Sequence, residues 1–329
     1  MALFAKLRKI GVDAYLLLLL GTVAFSFLFP ARGPFADIVK QVAYYAVALL
    51  FFVYGAKLKT EAVVAGFANW RLQLTIVGLT YVMFPLLALA LVFLGGSLIT
   101  DELALGLLYI GILPSTVQSS IAFTALARGN VAASVCAASV SNLLGVILTP
   151  ILATLILNAG DGGLNGAAVV NIAIQIVLPF GLGQLLRPLL GDWINRHRLI
   201  SLTVDRGSIL LIVYLAFSAG MVAGVWSQID ATQLFSLIGL VGLLLAIIIG
   251  ITFGLGRLSG FKSEDNRTMV FCGSTKSLAS GVPIANILFA GGPLSLIILP
   301  LMLYHQIQLI ACAIIAQAMA SKQEKEKYG

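Results

Sequence analysis

Charge is what this sequence has least of. Lys, Arg, Asp and Glu together make up 10% of its 329 residues, whereas soluble domains carry about 25%. That scarcity excludes an ordinary water-soluble globule, and a 60% hydrophobic composition with a mean hydropathy of +1.05 points to an integral membrane protein. Cysteine is scarce too. Cys136, Cys272 and Cys312 all fall inside apolar stretches, with no metal-ligand spacing and no outer loop to hold a disulfide. Histidine is limited to His197, in a polar loop, and His305, alone in the last apolar stretch. No metal site and no cofactor are expected from such a set. The 13 acidic residues can all be placed in loops, tails or helix ends. The net charge of +7 is no signal for nucleic acid, because the positions of the charges explain it better.

Long apolar runs are what the sequence has instead. A bilayer core of roughly 30 Å needs about 20 apolar residues per helix. Ten such segments can be drawn: Ala14–Phe29, Ile38–Gly55, Leu72–Leu94, Leu103–Ala127, Val131–Leu157, Ala167–Leu186, Leu202–Val225, Leu234–Leu258, Thr268–Phe289 and Leu294–Ala320. Their continuity argues for an α-helical bundle rather than a barrel, whose strands alternate. The first run follows Lys6, Arg8 and Lys9 and has no convincing cleavage site, so a retained first helix is expected.

With the N-terminus in the cytoplasm, 17 of the 20 Lys and Arg fall on the cytoplasmic side, including Lys322, Lys325 and Lys327 of the tail. Only Arg32 and Lys40 lie outside, and Lys276 is left within the membrane. The positive-inside rule therefore predicts a multi-pass protein of the plasma (inner) membrane, surrounded by lipid, with both termini cytoplasmic.

Five segments precede the loop "NAGDGGLNG" (158–166) and five follow it. An odd number per half gives homologous halves opposite orientations, as in many secondary transporters. The expected division is 1–158 and 159–329. "GILPSTVQSS" (111–120) in the fourth segment resembles "FCGSTKSLAS" (271–280) in the ninth, with the Ser-Thr pair repeated. Pro114 removes a backbone donor, and Gly273 with the small residues after it is expected to loosen the ninth segment in the same way. Lys276 lies nine residues past Arg267, which at ~1.5 Å per residue is roughly 13 Å deep, near the midplane. Unpaired backbone groups at that depth are tolerated only around a cavity or ligand site. The plainer alternative is two kinked helices whose Ser and Thr bond back to their own backbone.

The stretches "YGAKLK" (54–59) and "LARGNVAASVCAASVSNLLGVILTPIL" (126–152), with the Pro114 break, resemble the bile acid:sodium symporter family. "FCGSTKSLASG" (271–281) resembles its divergent SBF-like branch. The resemblance covers essentially the whole chain. It implies an all-α membrane fold of ten helices in two inverted five-helix repeats. A core domain (helices 3–5 and 8–10) would face a panel domain (helices 1, 2, 6 and 7), with helices 4 and 9 broken and crossing. It also implies secondary transport of a small organic anion by alternating access.

The departures from the family's pattern are chemical. In sodium-coupled members the ninth helix carries Glu-x-x-x-Gln-Asn; here the glutamate falls on Cys272, the glutamine on Lys276 and the asparagine on Ser277. The third-helix glutamine falls on Thr80. Ser134 is retained, but the threonine one turn later is Ala138, and Ser119-Ser120 stands for a Ser-Asn pair. No carboxylate is left for sodium. Lys276 could replace the missing cation, with its charge met by Ser115, Thr116, Gln118, Asn142 and helix carbonyl ends. It could instead release and regain a proton, since burial disfavours the charged form, which would couple transport to protons. The structural alternative is a lysine that holds the two broken helices together. Ser120, Ser274 and Thr275 complete the candidate binding set with Gly273 and His305. Two other functional classes are a non-transporting membrane regulator of the same fold and an intramembrane hydrolase using Cys272 or a serine with His305.

Overall fold

The structure is a computed structural model that describes residues 14–57, 69–157 and 173–328. The N-terminal basic stretch, most of the 57–71 loop and the 158–166 linker lie outside the described residues, as do the side chains of the basic tail. Among the described residues every regular element is helical.

The elements are α1 (Ala14–Leu28), α2 (Gly33–Lys57), α3 (Trp70–Leu98), α4 (Asp101–Ile112), α5 (Gln118–Leu126), α6 (Val131–Leu157), α7 (Leu178–Leu185), α8 (Arg187–Arg196), α9 (Arg198–Ala223), α10 (Ala231–Leu258), α11 (Ser263–Ser274), α12 (Leu278–Leu288) and α13 (Leu294–Tyr328). Six of them are long and apolar enough to cross a membrane: α2, α3, α6, α9, α10 and α13. A seventh candidate is the bent pair α7–α8. These spans make the chain a multi-pass membrane protein.

Local chemistry sets the ends. Thr100 caps α4 by accepting the Leu103 N–H, with Asp101 and Glu102 in the first turn favouring the positive helix start. Asp230 and Gln233 form a reciprocal capping box at the start of α10. The predicted span Ala167–Leu186 stops at Leu185, where the chain turns by 94° into α8 behind Pro188. This elbow is clamped on α2 by two glycines: a Cβ on Gly183 would overlap the Phe52 carbonyl, and one on Gly55 the Phe180 carbonyl.

The predicted single spans Leu103–Ala127 and Thr268–Phe289 are each two half-helices, α4 with α5 and α11 with α12. Gly273 requires a correction. It does not open the break but lies in the last turn of α11, where a Cβ would come 2.8 Å from Leu79 Cδ1; the chain leaves the helix at Thr275. The glycine lets the Leu79 side chain of α3 pack against this turn.

Packing sorts the helices into two groups. α2 packs on α7, α8 and α9, and α9 on α1; α4 packs on α3, α6 and α13, and α11 on α3, α5, α6 and α10. The groups meet where α9 touches α12 and α13.

Candidate functional site

The site forms where the α4–α5 break meets the α11–α12 break. Hydrogen bonds join them: among these, Ser277 donates its backbone N–H to the Pro114 carbonyl at 2.9 Å, and the Ser115 and Thr275 hydroxyls are 3.0 Å apart. Gly145 of α6 allows the first break to approach, since a Cβ there would stand 2.9 Å from the Pro114 ring and the Tyr81 hydroxyl.

Broken helices leave carbonyls to satisfy, and in the first break each has a partner. Ser115 N–H turns away from Gly111 and donates to Ser141 Oγ at 2.9 Å, which leaves Gly111 O available. Ile112 O accepts from Thr149 Oγ1, Pro114 O from Ser277 N, and Ser115 O from Asn142 Nδ2. Gly111 O and Leu113 O both accept from Lys276 Nζ, at 2.8 and 2.6 Å.

A third carbonyl comes from α3. Residues Leu79–Met83 form a π turn in which Phe84 N–H donates to Leu79 O, one residue further back than in an α-helix. Thr80 O thereby loses its α-helical donor. The next residue, Pro85, has no N–H to offer in the π register. Lys276 Nζ takes the freed oxygen at 2.9 Å. The ammonium's three donors are thus spent on three backbone carbonyls, and the Phe84 ring centroid lies 4.0 Å away. Lys276 is fully buried. An isolated charge would be far too costly to leave unpaired in such a place; what surrounds Nζ is three carbonyl dipoles, two of them at the C-terminal end of α4, where helix ends favour cations.

The peptide of Lys276 is held as firmly as its side chain. Gln308 of α13 accepts from Lys276 N at 2.8 Å and donates to Lys276 O at 2.9 Å. The same Gln308 Nε2 lies 2.9 Å from His305 Nδ1. Around this centre, Ser280 Oγ donates to Asn142 Oδ1, Ser277 caps α12, Tyr109 Oη donates to Gly281 O and Tyr304 Oη to Ser274 O.

The predicted site residues divide accordingly. Pro114, Ser115, Thr275, Lys276, Ser277 and Asn142 are assembled at the crossing, with His305 beside it. Of the partners expected for Lys276, the helix carbonyl ends hold its Nζ; Ser115, Thr116 and Asn142 are engaged in other hydrogen bonds. Thr116 and Ser119 bond to one another, Ser120 bonds to Thr116 O, Ser274 back-bonds to Val270 O, and Gln118 is exposed. Cys272 Sγ pairs with Ser134 Oγ at 3.3 Å. Cys272 and His305 therefore belong to separate contacts, and no nucleophile–base pair forms between them. Among the described residues, no three His, Cys, Asp or Glu side chains gather to hold a metal.

Sequence reasoning missed Pro85, Ser141 and Gln308. "FPLL" after a polar-edged Thr80-Tyr81 and "HQIQ" in an apolar helix were available signals.

A buried lysine on backbone carbonyls lies where two helix breaks meet, in an all-helical bundle whose long apolar spans make it a multi-pass membrane protein. Comparison with known proteins gives the family. Residues 13–321 match the SBF-like CPA transporter family, and the chain belongs to it. It is 47% identical to the uncharacterized protein PA2026 of Pseudomonas aeruginosa over 95% of this chain and 94% of that protein. Identity is 43% to the putative symporter YfeH of Escherichia coli K12, over 97% and 96%. Against sodium/bile acid cotransporter 7 of Rattus norvegicus it is 31%, over 85% and 83%. The family and the two named relatives are described as transporters, a non-enzymatic class.

Proposed function

We propose that the chain is a secondary active transporter that moves a small organic anion by alternating access, with the Lys276 ammonium as a resident cation in place of a coupling sodium. The observation that carries this reading is the fully buried Lys276 Nζ on the carbonyls of Thr80, Gly111 and Leu113. Dehydrated monovalent cations are bound by such oxygen cages, and here the cage is filled by the chain itself. Cys272, where the resemblance puts the sodium-binding glutamate, is engaged by Ser134 instead.

The relatives' names, a symporter and a sodium/bile acid cotransporter, support an organic solute as cargo. An anion fits best. The positive starts of α5 and α12 face the crossing together with the lysine, and midplane half-helix N-termini favour negative substrate groups. A neutral amine has two N–H donors, so the three-carbonyl arrangement favours an ammonium that stays charged over one that cycles a proton.

The architecture we attach to this is ten spans in two inverted repeats, 1–158 and 159–329. Support comes from the twin breaks and from α4 and α11, each 12 residues long and ending at the crossing. The two packed groups of helices fit a panel beside a core. The same reading puts the protein in the inner membrane, and the charge distribution supports cytoplasmic termini.

Purified protein in proteoliposomes, tested with a panel of labelled organic anions that includes a bile acid, checks the reading. Saturable uptake that does not need a sodium gradient is expected. No flux for any anion, with the protein folded, would favour the non-transporting membrane regulator.

A further inference from the structure

His305 is the one histidine near the crossing, and its hydrogen bonds dictate its protonation state. Lys276 N–H points at Gln308 Oε1, which fixes the orientation of the Gln308 amide. Its nitrogen then carries two hydrogens, one directed at Lys276 O and the other at His305 Nδ1. Nδ1 must accept, so this arrangement holds a neutral imidazole with its proton on Nε2. A proton on Nδ1 would set donor against donor. His305 would then lose Gln308 and compete for Lys276 O, already 3.5 Å from Nδ1. Either way the amide that grips both sides of the Lys276 peptide is disturbed.

We propose that His305 is a proton-responsive positioning residue of this transporter: protonation at Nδ1 releases the Gln308 clamp and loosens the unwound segment 275–277. The proposal rests on the transport reading for its role in the cycle, but the clamp itself does not depend on it. Histidine suits the task because its ordinary titration lies between pH 5 and 8, and His305 is only half-buried.

No other group on the neighbouring elements is placed to take this part. α5 and α12 carry no ionisable side chain. α4 has Asp101 and Glu102 at its far end and Tyr109, which donates to Gly281 O. α10 has Arg257 in its last turn; α9 carries Arg198, Asp205 and Arg206 early and Tyr214, which donates to Phe29 O. α11 has Glu264, Asp265 and Arg267 near its start and Cys272 on Ser134. On α13 itself, Tyr304 donates to Ser274 O, Cys312 lies two turns away, and the remaining charges are in the tail. The Lys276 ammonium is the fixed positive charge that faces the same segment.

The sequence has two histidines, so His197→Gln leaves His305 as the sole imidazole signal for nitrogen NMR in nanodiscs. Expected at pH 8 is a neutral ring protonated at Nε2, which gains a proton at Nδ1 on acidification. A ring protonated at Nδ1, or one that does not titrate, would overturn the clamp. Amide hydrogen exchange at 275–278 supplies the second measurement. At pH 5.5, wild type should exchange about 10-fold faster than His305→Asn, whose amide oxygen keeps the acceptor without titrating, and the two should match at pH 8. Equal exchange at both pH values would sink the proposal. If both measurements hold and a pH gradient still drives no uptake in active protein, the clamp stands and its coupling role is refuted; absent uptake under all conditions would instead count against the transport reading.

Discussion

Ser141 Oγ accepts the Ser115 N–H at 2.9 Å, and this one bond makes Gly111 O available to Lys276. A hydroxyl on α6 thus decides whether the α4 end can hold a cation. Ser141→Ala would leave the Ser115 N–H buried without its acceptor, at a cost of about 1–3 kcal/mol. The expected outcome is a lower melting temperature together with weaker transport.

Pro85 separates stability from function. Pro85→Ala supplies an N–H that can bond Thr80 O in the π register, or let α3 return to α geometry, and either removes one of the three ligands of Lys276. Replacing a mid-helix proline ordinarily favours the helix. The variant should therefore melt no lower than wild type while transporting less. A variant that melts lower but transports normally would contradict the role given to the Thr80 carbonyl.

Lys276→Gln removes the amine at the position where the family resemblance would place a glutamine in sodium-coupled members. Folding should survive, with uptake reduced at least about 10-fold, the scale of one lost charge-assisted hydrogen bond or more. Lys276→Arg should also fail, because a planar five-donor fork does not fit three carbonyls arranged around a point charge. Uptake assays with melting curves on the same preparations check both.

The long apolar runs and their charged ends were legible in the sequence because membrane span length and charge bias are properties of composition. Pro114 and the repeated Ser-Thr pair marked where two helices break. The sequence did not show which atoms would face Lys276. Helix carbonyl ends were expected beside side-chain oxygens such as Ser115 and Asn142, but which carbonyls would meet the amine is a matter of backbone path that no residue letter records. Pro85 and Ser141 act through the backbone bonds they remove or redirect, so their importance emerged only with the third helix in position. Gly273 looked like a hinge for a similar reason; only the neighbouring Leu79 side chain distinguishes a flexible glycine from a tightly packed one.

The topology can be checked by cysteine labelling in intact cells and in permeabilised cells. On a cysteine-free background, single cysteines at the C-terminal tail, at the α8–α9 junction and between α10 and α11 should react only after permeabilisation. A cysteine beside Arg32 should react from outside. Labelling of the tail in intact cells would rule out an even number of spans with both ends in the cytoplasm.

The central claim is that a tethered ammonium fills the cation's place, and sodium binding to the folded protein tests it without knowledge of the substrate. Melting temperature would be followed in sodium chloride against choline chloride at equal ionic strength, since an ion that binds only the folded state raises it. Wild type is expected to melt at the same temperature in both salts, and the double variant Cys272→Glu with Lys276→Gln to gain a saturable sodium-dependent rise. A saturable, sodium-specific stabilisation of wild type would contradict the account.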